Sequence, residues 1–196
     1  MFKKFLAALL TCLVFSPAFA TLTFRLAESG GNVVVTVSGS LNTVGLTPLF
    51  FSACGANGVI QPSFGSICVG AGATLNTGLA GPTTFGLNIR TNASSSTGQS
   101  VSMAGDGGAV GLPAGYTSGS PLSGTATFNG ATFASLGVTP GTYIWTKGAG
   151  ANADTVVVTT VPEAVATVPT LSEWGMMFLS SLIAMVGIVS VRRSNG

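Results

Sequence analysis

Between residues 21 and 161, no window of ten or more residues places apolar side chains at helical spacing, and this limits the fold more than any other feature. Apolar residues there alternate with polar ones or come in short runs cut by Gly and Pro. Leu22, Phe24 and Leu26 alternate with Thr23 and Arg25, and Val33, Val35 and Val37 form a second apolar face. Gly30-Gly31-Asn32 between them predicts the turn of a first hairpin. Further strands are predicted from Leu49 to Ser52, Thr84 to Ile89, Ser100 to Ala104, Thr125 to Phe128, Thr142 to Thr146 and Thr155 to Val161. β-Branched and aromatic residues dominate them. Many short strands with Gly and Pro punctuation predict an all-β, Gly-rich β-sandwich over residues 21–161. The stretch from Gly70 to Ser123 is poor in large side chains. It is open to two readings, loose order or edge-to-edge pairing with other copies.

Charged residues make up 6% of the chain, against about a quarter in an ordinary soluble domain. That suits a secreted, β-rich bacterial surface protein better than a cytosolic one. The net charge of +2 is unevenly placed. Lys3, Lys4, Arg192 and Arg193 outweigh Glu173 at the two ends. The middle carries Arg25, Arg90 and Lys147 against Glu28, Asp106, Asp154 and Glu163. No basic patch exists there, so nucleic acid is not an expected partner.

Residues 1–20 have the three parts of a secretory signal peptide. Lys3 and Lys4 form the positive region, and Phe5 to Phe15 the apolar core. That core is too short to cross a hydrocarbon layer of roughly 30 Å as a helix. Ala18-Phe19-Ala20 supplies small-x-small before an expected cut at Thr21. The competing reading is an uncleaved anchor.

At the other end, Pro169 cannot sit inside a helix. Thr170-Leu171-Ser172-Glu173 has the spacing of a capping box, so a helix should begin near Leu171. From Leu171 to Val191 only Glu173 is charged, and a helix over 171–191 would be about 31 Å long, matching the hydrocarbon layer. Trp174 suits the outer interface, and Arg192-Arg193 closes the span on the cytoplasmic side. A plain single-pass anchor would look the same by these criteria.

A resemblance goes further. Val168-Pro169-Thr170-Leu171-Ser172-Glu173-Trp174-Gly175, an apolar helix and Arg192-Arg193 together resemble the IPTL-CTERM sorting domain, a relative of the PEP-CTERM signals. The one departure is Val168 in place of Ile. The resemblance covers residues 168–196, after a linker at 162–167. It implies a transient inner-membrane intermediate in a Gram-negative bacterium. An exosortase, a membrane protease-transpeptidase, would then act on it before release to the cell surface or extracellular matrix. Exopolysaccharide or other envelope components would be further partners.

Leu136-Gly137-Val138-Thr139-Pro140-Gly141-Thr142-Tyr143 resembles the corner before the penultimate strand of fibronectin-type sandwiches, where a Tyr hydroxyl bonds back to the upstream backbone. A Pro-Gly turn that happens to precede a Tyr strand is the alternative. An immunoglobulin- or fibronectin-like sandwich is thus the finer expectation. Ile144 and Trp145 are expected in its core.

Cys54 and Cys68 are the cysteines that remain once residues 1–20 are set aside. In an oxidising compartment they are expected to form a disulfide. A metal pair or a nucleophile would lack a partner, because the chain contains no His. The same absence removes Ser-His and Cys-His catalysis, and the four body carboxylates are scattered. No catalytic residue, cofactor or metal site is expected. Asp106-Gly107-Gly108 and Asn152-Ala153-Asp154 could offer oxygens to Ca²⁺, but Asp among Gly is more often a turn former. Tyr116 and Trp145 could stack on sugar rings, although Trp145 falls on a strand. The sequence therefore reads as a sorted structural protein of the surface or matrix. The alternative is an adhesin or carbohydrate-binding module carried to the same place.

Overall fold

The structure is a computed structural model that describes residues 21–162, 175–183 and 185. The chain divides into two compact units, 1–163 and 164–196. The first contains the strands β1 (Thr21–Ser29), β2 (Asn32–Ser40), β3 (Thr47–Ala53), β4 (Gly58–Gln61), β5 (Ser66–Val69), β6 (Gly72–Thr77) and β7 (Thr91–Asn92). These are followed by β8 (Ser95–Gly98), β9 (Val101–Ala104), β10 (Ala109–Leu112), β11 (Pro121–Asn129), β12 (Thr142–Lys147) and β13 (Asp154–Val161). A four-residue helix α1 (Phe133–Leu136) lies between β11 and β12.

The strands form two sheets. One has six strands in the order β12-β13-β1-β2-β11-β8, the other seven in the order β3-β6-β10-β9-β5-β4-β7. The first unit is therefore essentially all-β. Period-two patterning explains how the sheets meet. In β1, Leu22, Phe24 and Leu26 are buried while Thr21 and Arg25 are exposed; in β2, Val33, Val35 and Val37 point the same way. These side chains share one core cluster with Ile60, Ile67, Val69, Val101, Met103 and Val110 of the other sheet. The two sheets are thus joined through a common apolar interior.

The first hairpin is as the sequence predicts. Gly30 and Gly31 both have positive φ, 58° and 74°, and turn β1 into β2, which pair from Leu22↔Gly39 to Ser29↔Asn32. A less legible feature is that β13 pairs with β1 in parallel, from Thr21↔Thr155 to Ala27↔Val161. The first and last strands therefore lie side by side inside the six-stranded sheet.

Two sequence expectations need correction. The segment from Thr84 to Ile89 is not a strand. Only Gly86 makes an isolated bridge, to Val138, and Phe85 alone drops into the core. Its backbone is pinned irregularly, the Phe85 amide donating to Pro62 O and the Leu87 amide to Gly137 O. Ile144 also differs from expectation, being half exposed while its neighbour Trp145 is fully buried.

Two glycines in the stretch from Gly70 to Ser123, which is poor in large side chains, have a packing role. Trp145 presses its ring against this stretch, and a methyl group built on Gly81 would lie 2.6 Å from Trp145 Cδ1. One on Gly105 would lie 3.0 Å from Trp145 Cζ2. Only residues without a Cβ leave room for the indole. The stretch also supplies β6, β9 and β10, which have hydrogen-bonded neighbours on both sides within the seven-stranded sheet. Those strands are not free edges, whereas β7 and β8 of the same stretch are end strands of the two sheets.

Within β9, Ser102 is buried and its Oγ has no hydrogen-bond partner among the described residues. An orphaned hydroxyl costs desolvation that nothing returns. Ser102→Ala should therefore raise stability by about 1 kcal/mol, seen as a higher urea midpoint with an unchanged slope.

Candidate functional site

The corner expected before β12 is present. Tyr143 Oη donates to Thr139 O at 2.9 Å, and its ring lies 5.8 Å from that of Phe85. Upstream, α1 is held by a reciprocal cap. Thr132 Oγ1 accepts from the Ser135 amide at 3.1 Å, and Ser135 Oγ accepts from the Thr132 amide at 2.8 Å. Glu28 of β1 accepts from the Phe133 amide at the start of the same helix.

Of the two carboxylates weighed as calcium ligands, Asp154 is used otherwise. Asp154 is buried and accepts from the amides of Asn42 at 2.7 Å and Thr155 at 2.8 Å. It faces Lys147 across the β12–β13 ladder, and Lys147 Nζ donates to Val44 O at 2.8 Å. Asp106 sits exposed in the turn between β9 and β10.

Of the two aromatic residues considered for sugar stacking, Trp145 offers no open ring face. Trp145 is buried, with Nε1 donating to Pro82 O at 2.8 Å. Tyr116 is half-buried; its hydroxyl accepts from the Leu41 amide at 3.0 Å and donates to Ser120 O at 2.7 Å. Burial and the nearby Asp154 carboxylate push its phenol above the ordinary tyrosine range. The ring helps line a cleft of about 290 Å³ with Leu46, Pro48, Asn76 and Leu112. The cleft is small, and Tyr116 is the one titratable residue among those that line it.

Cys54 and Cys68 form a disulfide with Cα atoms 6.1 Å apart. Cys54 follows β3 and Cys68 lies in β5, and with Val59 they make a small buried cluster beside the main core. Close by, β3 is an edge strand without a charged residue, and Leu49, Phe50 and Phe51 on it are all exposed. Pro48 and a register shift between Pro48 and Phe51 interrupt its pairing with β6. Proline and irregularity are common ways of blunting an edge.

The outer face of the six-stranded sheet has a regularity that sequence reasoning missed. Thr142 of β12 pairs with Thr159 of β13, which pairs with Arg25 of β1. Arg25 pairs with Thr36 of β2, Thr36 with Thr125 of β11, and Thr125 with Thr97 of β8. One straight row thus crosses all six strands, with five threonines and one arginine, none of them buried. A second row begins Thr146, Thr155, Thr21. The signal in the sequence is Thr at alternate positions of several strands. The row appears only once the register between strands is known.

Of the residues singled out for sorting and cleavage, Thr21 opens β1, where its Oγ1 lies 3.0 Å from Thr155 Oγ1. Gly175 opens a helical run over 175–183. Ala18, Ala20, residues 168–174, Arg192 and Arg193 lie outside the described residues, as do the signal peptide of residues 1–20 and most of the linker at 162–167. The span expected over 171–191 lies partly outside them, and no helix among the described residues is long and apolar enough to cross a membrane. What is described there is apolar all round. Met176, Met177, Phe178, Leu179, Leu182, Ile183 and Met185 are each more than half exposed. The hydroxyls of Ser180 and Ser181 bond back to Met177 O at 3.0 and 2.7 Å, so they need no outside partner.

An all-β body followed by a separate unit with an apolar helical run is the class of molecule these observations define. Residues 166–193 match the family model of the IPTL-CTERM motif, the motif that Val168 to Gly175 resembles in the sequence. No curated protein and no solved structure matches the chain.

Proposed function

We propose that this chain is a non-enzymatic structural protein of the bacterial surface or extracellular matrix, held briefly in the inner membrane and released by an exosortase-type protease-transpeptidase. The observation that carries the reading is the IPTL-CTERM match over residues 166–193. The helical run within it supports the membrane step. A helix with apolar side chains on every side needs an apolar medium around it, and serine hydroxyls satisfied on their own backbone suit lipid. Residues 1–20 act in this reading as a secretory signal peptide, and 171–191 as the span that Arg192-Arg193 terminates. A body without His, with its buried carboxylate tied to backbone amides, favours a structural role over catalysis. A disulfide-linked body suits an oxidising compartment outside the cytoplasm.

At the finer level of fold we read the body as a sandwich with a fibronectin-type tyrosine corner. Its parallel β1–β13 pair and its thirteen strands depart from the seven- or nine-strand antiparallel immunoglobulin plan.

The test is the mass of the protein recovered from outside wild-type and exosortase-deficient Gram-negative cells. The expected product from wild-type cells begins at Thr21 and lacks Arg192-Arg193. In deficient cells the tail should stay intact and the protein should remain with the inner membrane. An intact tail on protein recovered outside the cell would leave only a tethered β domain.

A further inference from the structure

The row of side chains across the six-stranded sheet has a chemistry that the sorting signal does not explain. We propose that this row, centred on Arg25, is a binding surface for an acidic polysaccharide chain lying across the strands. The proposal deepens the surface reading above by giving the body a ligand of defined class.

Its first support is charge. Arg25 is exposed at the middle of the face and is the one charged residue in its row. Glu28, the acidic residue of the same strand, accepts from the Phe133 amide at the start of α1. Arg25 and Thr36 have no side-chain hydrogen bond among the described residues. At the flanks the threonines satisfy one another, Thr97 with Thr125 at 2.7 Å and Thr142 with Thr159 at 3.4 Å. The open donors therefore converge on the centre. A guanidinium presents paired N–H groups in the geometry of a carboxylate, so the group that fits there is a carboxylate.

Its second support is spacing. Neighbouring strands lie about 4.8 Å apart, so the hydroxyls of the row repeat at that interval over about 24 Å. This interval is close to the length of one pyranose unit in an extended glycan. Successive sugars laid along the row would each meet a side chain from a successive strand, a threonine on five of them and Arg25 on β1. One sugar would place its carboxylate over Arg25. The neighbouring row adds Thr23, Ser38 and Ser123 beside the first. Sheet twist turns the row as it crosses the strands, which suits a flexible polymer and not a flat crystalline face.

The test uses the full chain in detergent micelles and oligogalacturonates long enough to cover the row. The same oligomers as methyl esters, and neutral dextran, provide the uncharged arms. Oligogalacturonate should bind, binding should weaken as salt rises, and the methyl ester should bind about tenfold more weakly or worse. Arg25→Gln should lose the same factor while its melting temperature stays at the wild-type value. Thr36→Val with Thr125→Val keeps the β-branched shape and should also weaken binding. The proposal is overturned if the ester binds as well as the acid, if Arg25→Gln binds like wild type, or if no oligomer binds. It is equally overturned if sedimentation shows a second copy closing this face and the Thr36→Val, Thr125→Val pair abolishes that association. None of these outcomes bears on where the chain is cut, so failure here and failure of the sorting reading are separate results.

Discussion

Trp145→Ala should lower the stability of the body by about 3–5 kcal/mol, the range for emptying a buried aromatic site. The side chain is fully buried, and its loss would leave Pro82 O without the 2.8 Å bond from the indole. The walls cannot collapse to fill the gap, because Gly81 and Gly105 bring backbone, not side chain, against the ring. A domain of this size has about 5–15 kcal/mol in total, so the variant should unfold at a much lower urea concentration. Far-UV circular dichroism would follow the transition without relying on Trp fluorescence. Gly81→Ala approaches the same contact from the other side and should also destabilise, since its new methyl group meets the ring at 2.6 Å. If the Trp145→Ala midpoint stayed near the wild-type value, the indole would not be the post on which the central stretch is built.

Removing the disulfide should cost about 3 kcal/mol by the loop-closure relation for a cross-link of this span. The two cysteines are 14 residues apart. The bond matters beyond its entropy because of where it sits. Cys54 directly follows an edge strand whose seven residues are almost all exposed, and β6, β10 and β9 lie between β3 and β5 in the sheet order. The link thus ties an exposed edge to the interior of the same sheet. Cys54→Ser with Cys68→Ser, and wild type under reducing conditions, should share one lowered urea midpoint. Two different midpoints would show that the serines, and not the lost bond, cause the change.

Strands with apolar alternation were legible in the sequence, because burial of one face writes itself directly into β1, β2, β11 and β13. The tyrosine corner and the disulfide were legible for similar reasons, each resting on few residues and a local constraint. What stayed hidden depended on partners far along the chain. β4, β5 and β10 are four-residue strands buried on nearly every side, so they show no alternation to read. β7 and β8 are polar and short, and earn their place only by pairing with β4 and β11. Thr84 to Ile89 misled because its β-branched and apolar content is that of a strand, while Pro82 and Gly86 hold it in an irregular path. The threonine row was out of reach for the same reason. It requires five separate registers, and a one-residue slip in any of them would send its residues to the core.

The parallel pairing of β1 with β13 has a consequence for how the molecule is made. Thr21 and Thr155 are 134 positions apart, yet their hydroxyls touch. The six-stranded sheet therefore stays open, with the inner edge of β1 bare, until residue 161 has emerged from the ribosome or the translocation channel. Closing so wide a loop is slow, so under the export proposed above the sheet would close only after nearly all of the body had crossed.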